Sequence, residues 1–423
     1  MEKDLIEIRD YNSKELPFFE FSRPRLINGE IQLLGKNEKA QEENTMAEMK
    51  IRHTETAGDY SSETVFEGKD LEFIHEDLLK TLFGAKNVAP APEGKKEVKL
   101  AAVETKQPGV EGNVVAIYDN AGIPSFMYKF TRVSNKELFG GSDKPHPAFV
   151  IGGEVYDEIY ISVYPNCEIN GKPYSLPYQK PWTNLTNDEA SEACFNKGEG
   201  WHLMTAAEWG LIANISLKNG TLPHGNTNDG QYHADASEKG VKYDGGNGRT
   251  LTGSGPATWT HNHTSEGVHD LCGNVWEMLR GLRIKDGVLY AAKDNDAALN
   301  IDLTQEGDDW HRIKDNSGNV VKVSVDGSIK ITTYPSIEQD YTGDCWEDVD
   351  IDCESEQLKE LALFAGEPKA YLYIDSTDGE YFPLRGGSWG GGANAGLFCT
   401  HLSAPRSNSN WYFSFRSAYF KKH

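Results

Sequence analysis

The sequence predicts an α+β fold whose larger part is C-terminal. Three observations carry this. Thr186-x-x-Glu189 and Thr205-x-x-Glu208 are capping boxes, each opening a short run with an apolar stripe. Around them lie short runs rich in Val, Ile, Phe and Tyr, separated by Gly and Asp turns. Nine Trp and 42 Gly point to aromatic-anchored, turn-rich packing rather than long helices.

In chain order, residues 1–95 are polar and mixed and are expected to form an attachment region of undefined fold. Within them DLEFIHEDLLKTLF (70–83) places Leu71, Ile74, Leu78 and Leu82 on one helical stripe, with Gly84 as C-cap. VAPAPEGKK (88–96) reads as a linker. Residues 96–144 read as a small β connector, in which DNAG (119–122) supplies a turn.

From 145 to 423 the pattern is that of one domain. AFVIGGEVYDEIYISVYPN (148–166) is a strand pair around Gly152-Gly153. The first capping box leads a helix through Ala190, Ala193 and Cys194. The second leads AAEWGLIANISLKN, with Trp209, Ile212 and Ala213 inward and Gly220 closing it. An insertion is expected at about 285–375. It contains a KVSVDGSIKIT hairpin turning on Asp326-Gly327 and an acid-rich loop, DYTGDCWEDVDIDCESEQ (340–357).

Composition excludes several roles. The net charge of −23 comes without a basic stripe, which argues against nucleic acid and anionic membrane partners. No stretch reaches about 18 apolar residues, so no membrane insertion is expected. MEKDLIEIRDYN lacks a basic segment followed by an apolar one, so no signal peptide is expected. The six cysteines (Cys167, Cys194, Cys272, Cys345, Cys353, Cys399) form no CxxC pair; reduced thiols are expected, with a Cys345–Cys353 pairing as the alternative. His261-x-His263 is the one tight histidine pair, and the histidines are expected on surfaces or loops. The acidic loop lacks the ligand order of an EF-hand, and no metal or cofactor is expected.

WHLMTAAEW (201–209), GVHDLCGNVWEM (267–278), LRGGSW (384–389) and FRSA (415–418) occur in that order. Together they resemble the formylglycine-generating-enzyme branch of the C-type lectin fold, over about 145–423. The residues make physical sense as framework. Gly273 and Asn274 suit a tight left-handed turn, with Val275 and Trp276 packing inward and Glu277 free to accept hydrogen bonds. Gly386 and Gly387 permit close backbone approach, Trp389 is a large buried anchor, and Arg385, Arg406 and Arg416 pin loops through carbonyls or carboxylates. The oxidase chemistry of that family needs a cysteine pair near the C-terminal motif. Here Cys399 is the only cysteine beyond 353, and Ser417 stands where the enzymes carry one, so no enzyme activity is expected.

The last segment, RGGSW–ANAGLF–CTHLSAPRSNSNWYFSFRSA, resembles the variable region of diversity-generating retroelement target proteins, which share this lectin-type fold. It departs at Ser414, where glycine usually precedes FR. FGGSDKPHPAFV (139–150), DEIYISVY (157–164) and SLPYQKP (175–181) resemble the entry of phage-borne members. The resemblance implies adenine-directed variation and a display set: Ser388, Gly390, Gly391, Ala393, Cys399, His401, Ser403, Ala404, Asn408, Asn410, Trp411, Tyr412 and Phe413. Gly386, Gly387, Trp389, Arg406, Arg416 and Trp276 would be scaffold. Trp411, Tyr412 and Phe413 read either as anchors for a partner or as C-terminal core. The resemblance implies a phage tail component, made in the host cytoplasm, whose target is a bacterial surface molecule, protein or glycan. Other virion or self subunits would be held through 1–95. The alternatives are a variable protein on a bacterial surface and a thiol- or metal-dependent enzyme.

Overall fold

The computed structural model describes residues 113–422 and, before them, the backbone of strands Leu5–Asp10, Arg25–Ile27, Glu30–Gln32, Met49–Ala57, Tyr60–Gly68 and Glu97–Val98. The chain divides into two compact units, Met1–Ala116 and Ile117–His423. In the first, Met49–Ala57 pairs antiparallel with both Leu5–Asp10 and Tyr60–Gly68. The helix expected over 70–83 and the linker at 88–96 lie outside the described residues.

The second unit is chiefly β, with four short α-helices among the described residues, so the α+β expectation holds only loosely. Both predicted capping boxes are formed: Thr186 with Glu189 opens Asn187–Phe195, and Thr205 with Glu208 opens Ala206–Asn219. A third, Ser134 with Glu137, opens Asn135–Phe139 and went unread in the sequence. Gly220 closes the longest helix at φ 67°.

The 96–144 stretch does not stand apart as a connector. From Ile117 onward it belongs to the second unit, and the Met127–Thr131 part of strand Pro124–Thr131 pairs antiparallel with Glu158–Ser162. Ser417–Tyr419 pairs with Glu158–Ser162 on one side and with Trp201–Leu203 on the other. FRSA therefore bridges two sheets: Phe415 pairs in the larger one with Met278, and Ser417 and Ala418 lie in the sheet that opens the unit. The DNAG turn is held by Asp119, whose side chain accepts from Ala121 N and Ile123 N.

A second, larger sheet centres on Gly396–Pro405. That strand runs antiparallel to Glu380–Gly386 and parallel to Tyr371–Asp375, with Tyr341–Cys345 at the edge beyond. On the far side of Glu380–Gly386 follow Leu282–Lys285, Val288–Ala291, Lys322–Val325 and Ile329–Thr332. The 285–375 stretch is therefore not an appendage, because its strands flank the C-terminal segment on both sides. Its hairpin is as predicted, turning over 326–328 with Gly327 at φ 65°. The stretch expected as an acidic loop instead contains the edge strand Tyr341–Cys345 and the buried Trp346. Lys330 pairs there with Asp350 and Asp352. Cys345 and Cys353 are free thiols.

Two buried indoles fix the start of the central strand. Trp209 Nε1 donates to Leu397 O at 2.9 Å, and Trp346 Nε1 donates to Phe398 O at 2.9 Å. Phe398 O accepts from Thr400 Oγ1 as well, so each tryptophan adds packing and a further hydrogen bond at the start of this strand.

Candidate functional site

Gly386 and Gly387 both adopt φ 89°. A Cβ on Gly387 would lie 2.5 Å from Ala395 Cβ, and one on Gly386 would lie 2.8 Å from Leu271 O. Gly273 (φ 72°) and Asn274 (φ 60°) form the left-handed turn. Arg416, fully buried, grips Glu277 with Nε at 2.6 Å and Nη2 at 2.5 Å, and also donates to Ser162 O and His269 O at 3.0 Å each. Arg385 holds Thr400 Oγ1 and Ala362 O. Arg406 bonds Glu380, Asp188 and Leu303 O. Ser414 sits in extended backbone opposite Glu277, fully buried, and its hydroxyl has no hydrogen-bond partner among the described residues.

The display set divides. Gly390, Ala393 and Trp411 are exposed, and Ser388, Gly391, His401, Ser403, Asn408, Asn410 and Tyr412 are half-buried. Three expectations are corrected. Cys399 is 1% exposed, Ala404 4% and Phe413 4%, so these side chains lie inside. A register irregularity between Phe382 and Leu384 interrupts strict alternation along this strand: Ala404 pairs with Phe382 and packs in a core cluster with Leu384 and Phe413, while His401 and Ser403 are half-buried. Cys399, two residues before His401, is covered almost completely. Phe413 joins a core cluster with Met278, Leu384 and Phe415, so for this residue of WYF the core alternative holds.

Two tryptophans expected as buried anchors are half-buried instead and border the display residues. Trp389 contacts Trp411 (ring centroids 4.9 Å) and Tyr412 (6.0 Å). Trp276 meets His401 edge-on at 5.4 Å. Three residues outside the segment, unread in the sequence, complete the face. Tyr371 and Tyr373 stand 4.8 Å apart, and Tyr373 lies 5.3 Å from His401. Arg249 lies 4.8 Å from the Trp411 ring and donates from Nη1 to Trp411 O. Tyr-x-Tyr in YLYID carries a period-2 signal that could have disclosed the tyrosines; nothing in the sequence around Arg249 points to it.

The loop 388–395 is tied to a neighbouring one. Trp389 N donates to Asn274 O, Asp229 N to Trp389 O, and Gly392 N to Thr227 O. Asn184 N donates to Asn410 O. The half-exposed side chains thus rest on backbone that is hydrogen-bonded from outside the segment.

Titration behaviour at the face follows from enclosure. Burial lowers His401 to about 4, leaving a neutral imidazole at pH 7 that shares hydrogen bonds with Ser403 Oγ at 3.2–3.3 Å. Burial raises Cys399 to about 12 and Cys272, which interacts with it, well above the usual thiol value, so both stay protonated and poorly nucleophilic. The histidines expected at surfaces include buried ones. His202 bonds Glu208 at 2.8 Å, and burial lowers His261 to about 3. Among the described residues no group of three His, Cys, Asp or Glu could hold a metal ion. No described helix is long and apolar enough to cross a membrane.

No family model and no curated protein matches the chain. Among solved structures, "Major Tropism Determinant U1 Variant" is similar at 12% identity, over 74% of this chain and 73% of that one, with a TM-score of 0.28. A superposition that loose does not establish a shared fold.

Proposed function

We propose that the chain is a non-enzymatic ligand-binding protein whose C-terminal segment is a hypervariable recognition surface on a C-type lectin-type domain. Its place would be the tail of a phage particle, made in the host cytoplasm, where it binds a bacterial surface molecule. Residues 1–95 would attach it to the particle or to sister chains. One observation carries the reading. Three of the thirteen display positions are exposed and seven half-buried, while Gly386, Gly387 and Arg416 beside them are buried and clamped. Side chains on such a face can change without disturbing what supports them.

Binding rather than catalysis is favoured by the protonated, enclosed thiols, which lack the thiolate that nucleophilic or redox chemistry uses. The test is adsorption of the purified full chain to a panel of bacterial cells. Tyr412→Ala combined with His401→Ala should abolish adsorption to the strain that binds the unaltered protein, while the melting temperature holds. Undiminished adsorption would refute the recognition surface.

A further inference from the structure

The display face continues beyond the C-terminal segment, and the continuation has its own chemistry. Tyr371 and Tyr373 flank Leu372 on a strand parallel to Gly396–Pro405, so both lie on the face that carries His401. The next strand out presents Gly343 opposite Tyr373. A Cβ on Gly343 would lie 2.6 Å from Tyr373 Cδ1 and 3.1 Å from Tyr371 Cε1, so both rings lie down over bare backbone at this glycine. His401 and then Trp276 extend the row of rings, and all four residues are half-buried, with one side covered by protein.

We propose that Tyr371, Tyr373, His401 and Trp276 form a stacking subsite for the apolar face of an uncharged pyranose ring, within the recognition surface proposed above. It rests on that reading and adds the ligand class and a part of the site lying outside the variable segment. The Tyr371 and Tyr373 rings, tilted 40° to each other and laid over Gly343, with the Trp276 ring edge-on to His401, offer ring faces that select a ligand with an apolar C–H face and hydroxyls at its rim. His401 and Ser403 supply donors and acceptors at one border.

The charges nearby argue for an uncharged ligand. His401 is neutral at pH 7. Arg406 is taken up by Asp188 and Glu380, and Lys242 by Asp229. Arg249 is committed to Gly246 O and Trp411 O. Asp375, on the same strand face as Tyr373, accepts from Thr377 and would repel an anionic sugar.

The test is saturation-transfer NMR on the full chain with four neutral probes: cellobiose, maltose, lactose and N,N′-diacetylchitobiose. At least one should receive transfer at its ring C–H protons. Tyr373→Phe should keep it. Tyr373→Leu, which retains apolar bulk without a flat face, should weaken Kd about tenfold or more. Gly343→Val keeps both tyrosines, lifts the rings and should do the same; near-UV circular dichroism and melting temperature report whether each variant folds. Absence of transfer from every probe, or transfer that survives Tyr373→Leu, overturns the subsite. Cell adsorption separates the two failures. Loss with Trp411→Ala but not with Tyr373→Leu leaves the recognition surface standing without this subsite. Indifference to both variants overturns the recognition surface as well.

Discussion

Two clusters built by the same C-terminal segment behave oppositely. Around Arg416, a fully buried guanidinium holds one carboxylate with two nitrogens and spans backbone carbonyls from separate loops. Around Trp411, rings of Trp389, Tyr412 and Arg249's guanidinium meet at 4.8–6.0 Å, partly in solvent. The first has satisfied groups in a low-dielectric interior, where any deletion leaves a partner stranded. The second has contacts that are few, apolar or water-replaceable. Clamped interior groups and solvent-facing rings thus lie within a few residues of each other on one chain segment rather than in separate domains.

The sharpest way to break that contrast is Arg416→Met. It strands Glu277 without a counter-ion and should lower unfolding free energy by about 3–5 kcal/mol in urea denaturation. A loss below about 1 kcal/mol would erase the distinction between the clusters.

An intermediate effect lies at Glu367, which accepts from Phe398 N at 2.9 Å and is raised by burial to about 7. Its folded pKa exceeds the unfolded value, so the native state holds the extra proton between about 4.5 and 7. That contribution is present below the unfolded pKa and is lost as pH rises through 7. Glu367→Gln, which cannot ionise, should therefore gain stability relative to the unaltered protein between pH 5 and pH 8, read as a growing melting-temperature difference. A pH-independent difference would mean Glu367 titrates normally.

The smallest effect is expected on the outward face. Asn408→Thr should leave stability within about 0.5 kcal/mol, since only the backbone of Asn408 is seen bonding, to Pro405 O. A larger loss by thermal melting would show that the display positions also bear structure.

The two regions were not equally legible in the sequence. Around Arg416 the residue types largely speak for themselves. A glycine doublet, a buried arginine and Thr-x-x-Glu boxes each have few physical uses, and the structure uses them so. The face was read less well. An aromatic or small residue suits either side of a strand, so residue type alone does not show that Cys399, Ala404 and Phe413 lie inside while Trp276 and Trp389 are half-buried. Tyr371, Tyr373 and Arg249 were missed because they reach the face through pairing across long sequence separations.

Local devices follow from residue type alone: capped helix starts, left-handed glycine turns, the Asp326-Gly327 hairpin and the choice of arginine as a clamp. These depend on backbone dihedrals and hydrogen-bond chemistry within a few residues. Long-range packing sets that strands from 285–375 flank the C-terminal strand, that FRSA bridges the two sheets, and which rings share a surface. Strand order and register arise from burial summed over the whole unit, and no short stretch of sequence contains that sum.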